Sequence, residues 1–399
     1  MKQFNSAIST PVVNSATFSY ENSKEAEDIF SGNLNKPMYS RMGNPTTAVL
    51  EEKLSEFEGA IGAVATSSGM GAISMVIMSL CKTKDEIISI GGLFGGTYGF
   101  MTQTLPRFGI KSHFFSVDEI DKVKNSINEN TKIIYCESVG NPSLRLPDLK
   151  AIREIATKNN IAFIIDNTIT PLIIKPFEYG ADIIIYSTTK MLSGNSSALG
   201  GIALFRAIED NDKFHTSRYE FLKPFIKKLG KKALMGCSKK RALRDFGMSA
   251  NANSSYQTLL GLETLDLRTQ RINSSCEIVA KYLKQKGLDV NHPSLDDNID
   301  NKIYKTIYSS GCGSMITIDL QTKQKAFKFL DSSKLLTLTA NIGDSRTLGL
   351  HMSSTIYQDF NEEQKKFLGI SEGLIRLSIG LEDPKVICDD LLYCFESSK

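Results

Sequence analysis

From about residue 45 to residue 206 the chain alternates helical stretches with short, unbroken apolar runs: EIISI (86–90), KIIYCE (132–137), IAFIID (161–166) and ADIIIYS (181–187). Runs that are apolar on both faces suit strands covered by helices on both sides, so this region predicts an α/β domain with a mainly parallel sheet. The intervening segment LPDLKAIREIATKNN (146–160) puts Leu149, Ile152, Ile155 and Ala156 on one helical face, which predicts a right-handed βαβ unit. The residues before it are polar and broken by Pro11, Gly32, Pro37, Gly43 and Pro45. They predict an extended arm with at most one helix, near 24–30. After about residue 245 a long helical pattern (255–286) precedes two more strand candidates, SMITIDL (314–320) and LIRLSIG (374–380). The expected organisation is an arm (1–45), an α/β domain (46–243) and a smaller C-terminal α+β domain (244–399). No flexible linker separates the two domains, so they are expected to pack closely.

Length supports that division, because 399 residues exceed one ordinary core. A formal charge of +3 gives no reason to expect nucleic acid or a membrane as partner. The basic stretch from Lys223 to Arg244 reads as solvated surface, since it lacks the interleaved aromatic residues of a stacking platform. The seven cysteines occur singly, without a CxxC, and their odd number indicates no disulfide framework. His113, His215, His292 and His351 show no ligand spacing, so no metal is expected. The opening MKQFNSAISTPVVNSATF lacks the apolar core of a signal peptide, and no apolar run approaches the roughly 20 residues of a membrane span. A cytoplasmic location is the expectation.

In open α/β sheets, ligands sit beyond the carboxyl ends of the strands. The four runs above deliver to that edge Phe94, then Glu137 with Asn141, then Asp166, and finally Ser187, Thr189 and Lys190. A lone lysine after a strand is usually a surface lysine. Lys190, however, precedes a loop of small residues, MLSGNSSALGG, and is joined by Asp166 from another strand. That combination suits pyridoxal 5′-phosphate (PLP), which needs a lysine amine for its Schiff base and an acid against its pyridine nitrogen. PLP also needs a phosphate cradle, and TSSGMGA (66–72), with Ser68, Gly69 and Met70, opens an apolar helix whose N–H groups can bind an anion. Taken alone, serine and glycine before a helix often do no more than cap it. A dinucleotide-binding domain is excluded, because no GxGxxG follows the first strand.

With these residues in place the sequence resembles the Cys/Met-metabolism PLP enzymes: cystathionine γ-synthase, cystathionine lyases, methionine γ-lyase and O-acetylhomoserine sulfhydrylase. The resemblance rests on YSRMGNPT (39–46), ATSSGMGAI (65–73), LFGGTY (93–98), ESVGNPSLRLPDL (137–149), the block from 164 to 201 around STTKMLSGNSSALGG, and IRLSIGLED (375–383). It implies the PLP-dependent transferase fold (fold type I, aspartate-aminotransferase-like). It also implies Lys190 as Schiff-base lysine and proton carrier, and Asp166 at the pyridinium. Gly69, Met70, Ser187 and Thr189 would hold the phosphate, with Tyr39 and Arg41 donated to the phosphate of a neighbouring subunit. Asn141 would bond the ring oxygen, Phe94 would stack on the ring, and Arg376, with Asn341 nearby, would hold the substrate. The arm implies an obligate dimer, usually paired into a homotetramer.

Within the family, RALRDFGMSANANSSYQTLLGLETLDLR (241–268) and TANIGDSRTLGLH (339–351) resemble O-acetylhomoserine sulfhydrylase. Methionine γ-lyases carry a cysteine where this chain has Gly96. Phe94 stands where the family has a tyrosine, and so offers no hydroxyl to protonate a leaving group. Acetate needs no such acid, whereas a thiolate benefits from one. Met352 for a proline, Tyr357 for a histidine and Asn251-Ala252 for Ser-Pro are further departures, at positions that lie near the substrate entrance in the family. The expected reaction is γ-replacement on an O-acylated homoserine, acetyl by preference, with a sulfur donor. The alternatives are a γ-lyase or cystathionine lyase or synthase on the same fold and, from another class, a catalytically silent binding protein that keeps the fold.

Overall fold

The computed structural model describes residues 7–399; residues 1–6 of the expected arm lie outside the described residues. Seven strands form one sheet: β1 (Gly62–Thr66), β2 (Glu86–Ile90), β3 (Lys111–Phe115), β4 (Thr131–Glu137), β5 (Ala162–Asp166), β6 (Ile183–Tyr186) and β7 (Gly201–Phe205). Their order is β1-β7-β6-β5-β4-β2-β3. β3, β2, β4, β5 and β6 run parallel, while β7 is antiparallel to both β6 and β1. The reason is in the residues: β5 and β6 are buried at every position, and isoleucine fills both faces. Ile133, Tyr135, Ile164, Ile183 and Ile185 pack on one side, and Ile134, Phe163, Ile165 and Ile184 on the other, as the two-residue pleat requires.

The helix Leu149–Lys158 lies between β4 and β5, capped by the Asp148 carboxylate, with the expected four residues buried. Before residue 45 the described residues form one helix, Ser23–Ser31, and a bridge between Thr17 and Tyr39. The second sheet contains β8 (Val290–Asn291), β9 (Met315–Asp319), β10 (Thr337–Leu338), β11 (Leu348–His351) and β12 (Leu374–Ser378), in the order β10-β11-β12-β9-β8. Tyr304, Ile307, Met315 and Ile342 join the same apolar cluster as the first sheet, so the two sheet regions share a core.

One expectation changes. The helical pattern 255–286 is two helices, Ala252–Leu262 and Leu265–Gln285. Arg268 reaches back so that Nη2 donates to Gly261 O at 2.7 Å and Nη1 to Met191 O at 2.7 Å, which ties the break to the loop after Lys190. In the basic stretch Lys223, Lys227, Lys228, Lys231 and Lys232 are exposed. The single aromatic within it, Phe225, is buried, with the Arg241 guanidinium 5.7 Å from its ring centre. Among the described residues no helix is long and apolar enough to cross a membrane.

β7 passes unusually close to the start of the helix Gly69–Leu80. A Cβ on Gly201 would lie 2.1 Å from Ser68 O and 2.7 Å from Gly69 N. Both are backbone atoms, which cannot swing aside. Gly201→Ala is therefore expected to destabilise by about 1–3 kcal/mol, as overpacking does, and to lower the thermal unfolding midpoint, as calorimetry would show.

Candidate active site

The carboxyl ends of β2, β4, β5 and β6 open into a cavity of about 200 Å³ that also receives Arg376 from β12. A wider cleft of about 810 Å³ lies on the other side of Pro142, lined by Glu119, Arg145, Asp289, Asp319 and Lys366, and contains none of the expected site residues. Chemistry, not size, selects the smaller one.

One wall is the N-terminus of the helix Gly69–Leu80. Ser68 caps it, its hydroxyl accepting from Gly71 N at 3.0 Å, and Ala72 N bonds Ser68 O. Of the first four helical N–H groups, this leaves those of Gly69 and Met70 for an anion. Ser187 closes the wall, so near that a Cβ on Gly69 would meet Ser187 Cβ at 2.7 Å. Thr189 lines the cavity with its hydroxyl engaged by Gly200, accepting from its N–H at 3.0 Å.

The floor is acidic. Asp166 and Glu137 are register partners on β5 and β4. Burial and then the charge of Asp166 push the Glu137 carboxyl well above the usual carboxylate range. Burial also raises Asp166, against hydrogen bonds from Thr168 and Tyr135. Tyr135 Oη donates to Asp166 Oδ2 at 3.2 Å and Thr168 N to Oδ1 at 3.0 Å. Glu137 accepts from Phe94 N at 2.6 Å, which holds the Phe94 loop against the strand ends.

The opposite side is cationic. Arg376 is 3% exposed, donates from Nη1 to Asn141 Oδ1 at 2.9 Å, and has no acidic partner among the described residues. Lys190 Nζ donates to Asn341 Oδ1 at 2.6 Å. Burial, then the charge of Arg376, brings the Lys190 amine down to about 8. Among the described residues no group of three or more His, Cys, Asp or Glu is arranged to hold a metal. A phosphate cradle, a reactive amine, a carboxylate and an anion-seeking guanidinium thus share one cavity, which is the donor set PLP and an amino acid require.

The sequence model described as Cys/Met metabolism PLP-dependent enzyme matches residues 1–396. The chain belongs to this family. A sulfhydrylase of Fusarium oxysporum f. sp. lycopersici is 32% identical over 410 residues, covering 98% of this chain and 93% of that protein. The O-acetyl-L-homoserine sulfhydrylase of Leptospira meyeri is 31% identical over 408 residues (97% and 91%). The L-methionine gamma-lyase of Fusobacterium nucleatum subsp. polymorphum is 31% identical over 397 residues (98% and 94%). A crystal structure from Campylobacter jejuni, assigned as an O-acetylhomoserine (thiol)-lyase and containing a pyridoxyl-lysine phosphate, superposes with a TM-score of 0.92 at 31% identity. It covers 98% of this chain and 96% of that one. The protein is a PLP-dependent enzyme of fold type I that acts on an amino acid.

Ser68, Gly69, Met70, Phe94, Asn141, Asp166, Ser187, Thr189, Lys190 and Arg376 all line the cavity, and Asn341 touches Lys190 at its edge. Tyr39 and Arg41 do not: Arg41 lies over the Tyr39 ring and donates to Arg244 O. Met352 and Tyr357, at positions near the substrate entrance in the family, are fully buried here. Tyr357 Oη instead donates to Asn141 O at 3.2 Å, behind the cavity wall. Asn251 caps the helix Ala252–Leu262. The structure adds Thr168 and Tyr135. Thr168 lies two residues past Asp166, and Tyr135 shares a strand face with Glu137, so strand alternation carried a signal for it.

Only a neutral amine can attack the cofactor's aldehyde, and the neutral fraction of Lys190 grows as pH rises through about 8. The rate at which PLP-stripped protein captures PLP should therefore rise with a midpoint near pH 8. An unperturbed lysine would place it near ~10.4. Stopped-flow absorbance across the pH range reads the midpoint directly.

Proposed function

We propose that this protein catalyses γ-replacement on an O-acylated homoserine, O-acetyl-L-homoserine by preference, using a sulfur nucleophile to give homocysteine or a thioether analogue such as methionine. The observation that carries the reading is Phe94 packed on Gly96 beside the cavity. A Cβ on Gly96 would stand 2.6 Å from Phe94 Cε1 and 3.4 Å from Met70 Sδ. The phenyl ring occupies the place where methionine γ-lyases project a cysteine, and it brings no hydroxyl. A carboxylate leaving group, whose acid ionises near ~4, departs without a proton, whereas a thiolate near ~8.5 benefits from one. Similarity to the Leptospira meyeri sulfhydrylase points the same way.

Bound PLP supplies an electron sink for negative charge developing on the substrate carbons. The residues supply the rest. The N–H groups of Gly69 and Met70, with Ser187 and Thr189, hold its phosphate, Asp166 its ring nitrogen and Asn141 its ring oxygen, while Phe94 covers the ring face. Arg376 grips the substrate carboxylate as a two-pronged donor. The Lys190 amine, which lines the same cavity as Arg376, removes the α-proton and then shuttles a second proton from the β-carbon. Tyr39 and Arg41, exposed and away from this chain's own cavity, are donated to a second subunit, which makes the active unit a dimer and its pairing a tetramer. Seven free cysteines, all buried, suit a reducing cytoplasm.

The second reading, a γ-lyase, is favoured by equal similarity to the Fusobacterium nucleatum methionine gamma-lyase. Mass spectrometry of PLP-loaded protein with O-acetylhomoserine, with and without sulfide, separates the two. Homocysteine is expected only with sulfide, and 2-oxobutyrate without any thiol would make the lyase the correct reading. Arg376→Gln is expected to raise KM about 30-fold or more, the consequence of removing a buried charge-assisted contact, with a smaller change in kcat. Initial rates over a range of substrate concentration test this.

A further inference from the structure

The side chain of Asn341 is nearly symmetric, and a half-turn about its last bond exchanges oxygen for nitrogen. Only one orientation suits the Lys190 amine. A protonated lysine has three donors and no acceptor, so an Asn341 nitrogen turned towards it would set donor against donor.

The neighbouring atoms choose the orientation. Asn341 Nδ2 donates to Ser196 Oγ at 2.8 Å, and the Ser196 hydroxyl donates to Asp344 Oδ2. An ionised carboxylate only accepts, so the single Ser196 proton is committed to Asp344 and only lone pairs face Asn341. Asp344 is itself fixed, accepting from Arg346 N at 3.0 Å, Nε at 2.8 Å and Nη2 at 3.0 Å. Read from Asp344 to Lys190, every hydrogen bond in the row has one possible direction.

Two further features show that the arrangement is held in place. Ser196 has φ +59°, the left-handed region that residues other than glycine, asparagine and aspartate seldom adopt. Such strain persists where the surroundings over-determine it. The two loops are also stitched together by Ser345 N donating to Gly194 O at 2.8 Å and by the Arg346 side chain, whose Nη2 donates to Asn195 O at 3.2 Å. Asn341 meanwhile touches the other cation of the site, its backbone oxygen accepting from Arg376 Nη2 at 3.4 Å.

We propose that Ser196 and Asp344 are positioning residues that lock the Asn341 amide with its oxygen towards the Lys190 amine, and so stabilise that amine after it has taken up a proton. The inference rests on Lys190 being the proton carrier and is independent of which sulfur donor or leaving group the enzyme uses. Among the described residues the charged and titratable groups that line the cavity with Lys190 are Arg376 from β12, Asp166 from β5 and Glu137 from β4, and substitution of Ser196 removes none of them.

The test compares the pH midpoint of PLP capture in stripped wild-type protein with that of Ser196→Ala and Ser196→Gly. Without the hydroxyl the amide is free to turn and the ammonium loses its acceptor. Both variants should shift the midpoint down by about half a pH unit or more. Ser196→Gly also relieves the left-handed backbone, so it should unfold at a temperature no lower than Ser196→Ala. A loss of packing alone would follow stability, whereas this shift should be the same in both. An unchanged midpoint in the folded Ser196→Gly protein would overturn the proposal. Lys190→Ala separates the underlying reading: if that protein still develops the absorbance of lysine-linked PLP, Lys190 is not the capturing amine, whatever Ser196 does.

Discussion

Sealing a guanidinium from water with no carboxylate beside it costs several kcal/mol unless something else supplies the missing charge. Arg376 is buried in that way, and among the described residues its hydrogen-bond partners are the neutral oxygens of Asn141 and Asn341. The cost is tolerable in a fold that binds an anion there, and much of the site follows from it. Asn141 is turned to face Arg376 while its backbone oxygen receives Tyr357 from behind, so the wall that contacts the cation is fixed on both sides. The same positive charge reaches Lys190 and helps hold its amine near neutrality. An anion arriving at Arg376 would ease that pressure, which makes the lysine more basic at the stage where it must take a proton.

Opposite charge is kept to the floor. Asp166 and Glu137 end adjacent strands and cannot both ionise cheaply at such close range in a buried place. Their backbone and hydroxyl partners sort them. Asp166 receives Tyr135 and Thr168, and a cofactor cation placed against it would bring its raised pKa down, while Glu137 accepts from the Phe94 N–H. The pair thus serves one electrostatic and one architectural need, and the fold separates them without a metal ligand set among the described residues.

How legible this was depends on how local each signal is. β2, β4, β5 and β6 announce themselves because a strand buried on both faces is an unbroken apolar run, and the residues just past their ends are the site. β1 and β7 are short and carry alanine and glycine, GAVAT and GIALF, and they pair antiparallel across 135 to 143 positions of sequence, Thr66 against Gly201 and Gly62 against Phe205. β3, KSHFF, is a half-buried edge with polar residues. None of these produces a periodic pattern that a window can detect. The same holds within the site. Lys190 and Asp166 were visible from their strand ends, but Ser196 and Asp344 act across 148 positions through a contact that neither segment encodes alone. The break at Glu263–Thr264 was hidden for the same reason, since Arg268 beside it is bound both to Gly261 and to the loop after Lys190.

Phe94 shows how a single missing atom constrains the chemistry around it. A tyrosine in its place would bring a hydroxyl to the cavity, and with it a proton donor for a departing thiolate. The phenyl ring lies so close to Gly96 that a Cβ there would stand 2.6 Å from Phe94 Cε1 and the ring would have to shift, so the two positions are coupled by contact. Among the described residues Lys190 is the amine that lines the cavity, and the proposed reaction already employs it on carbon-bound protons. A leaving group that carries its own negative charge without help is what such a site can expel, and an acyl ester of homoserine provides one. The proposed preference for such an ester thus rests on what Phe94 cannot donate.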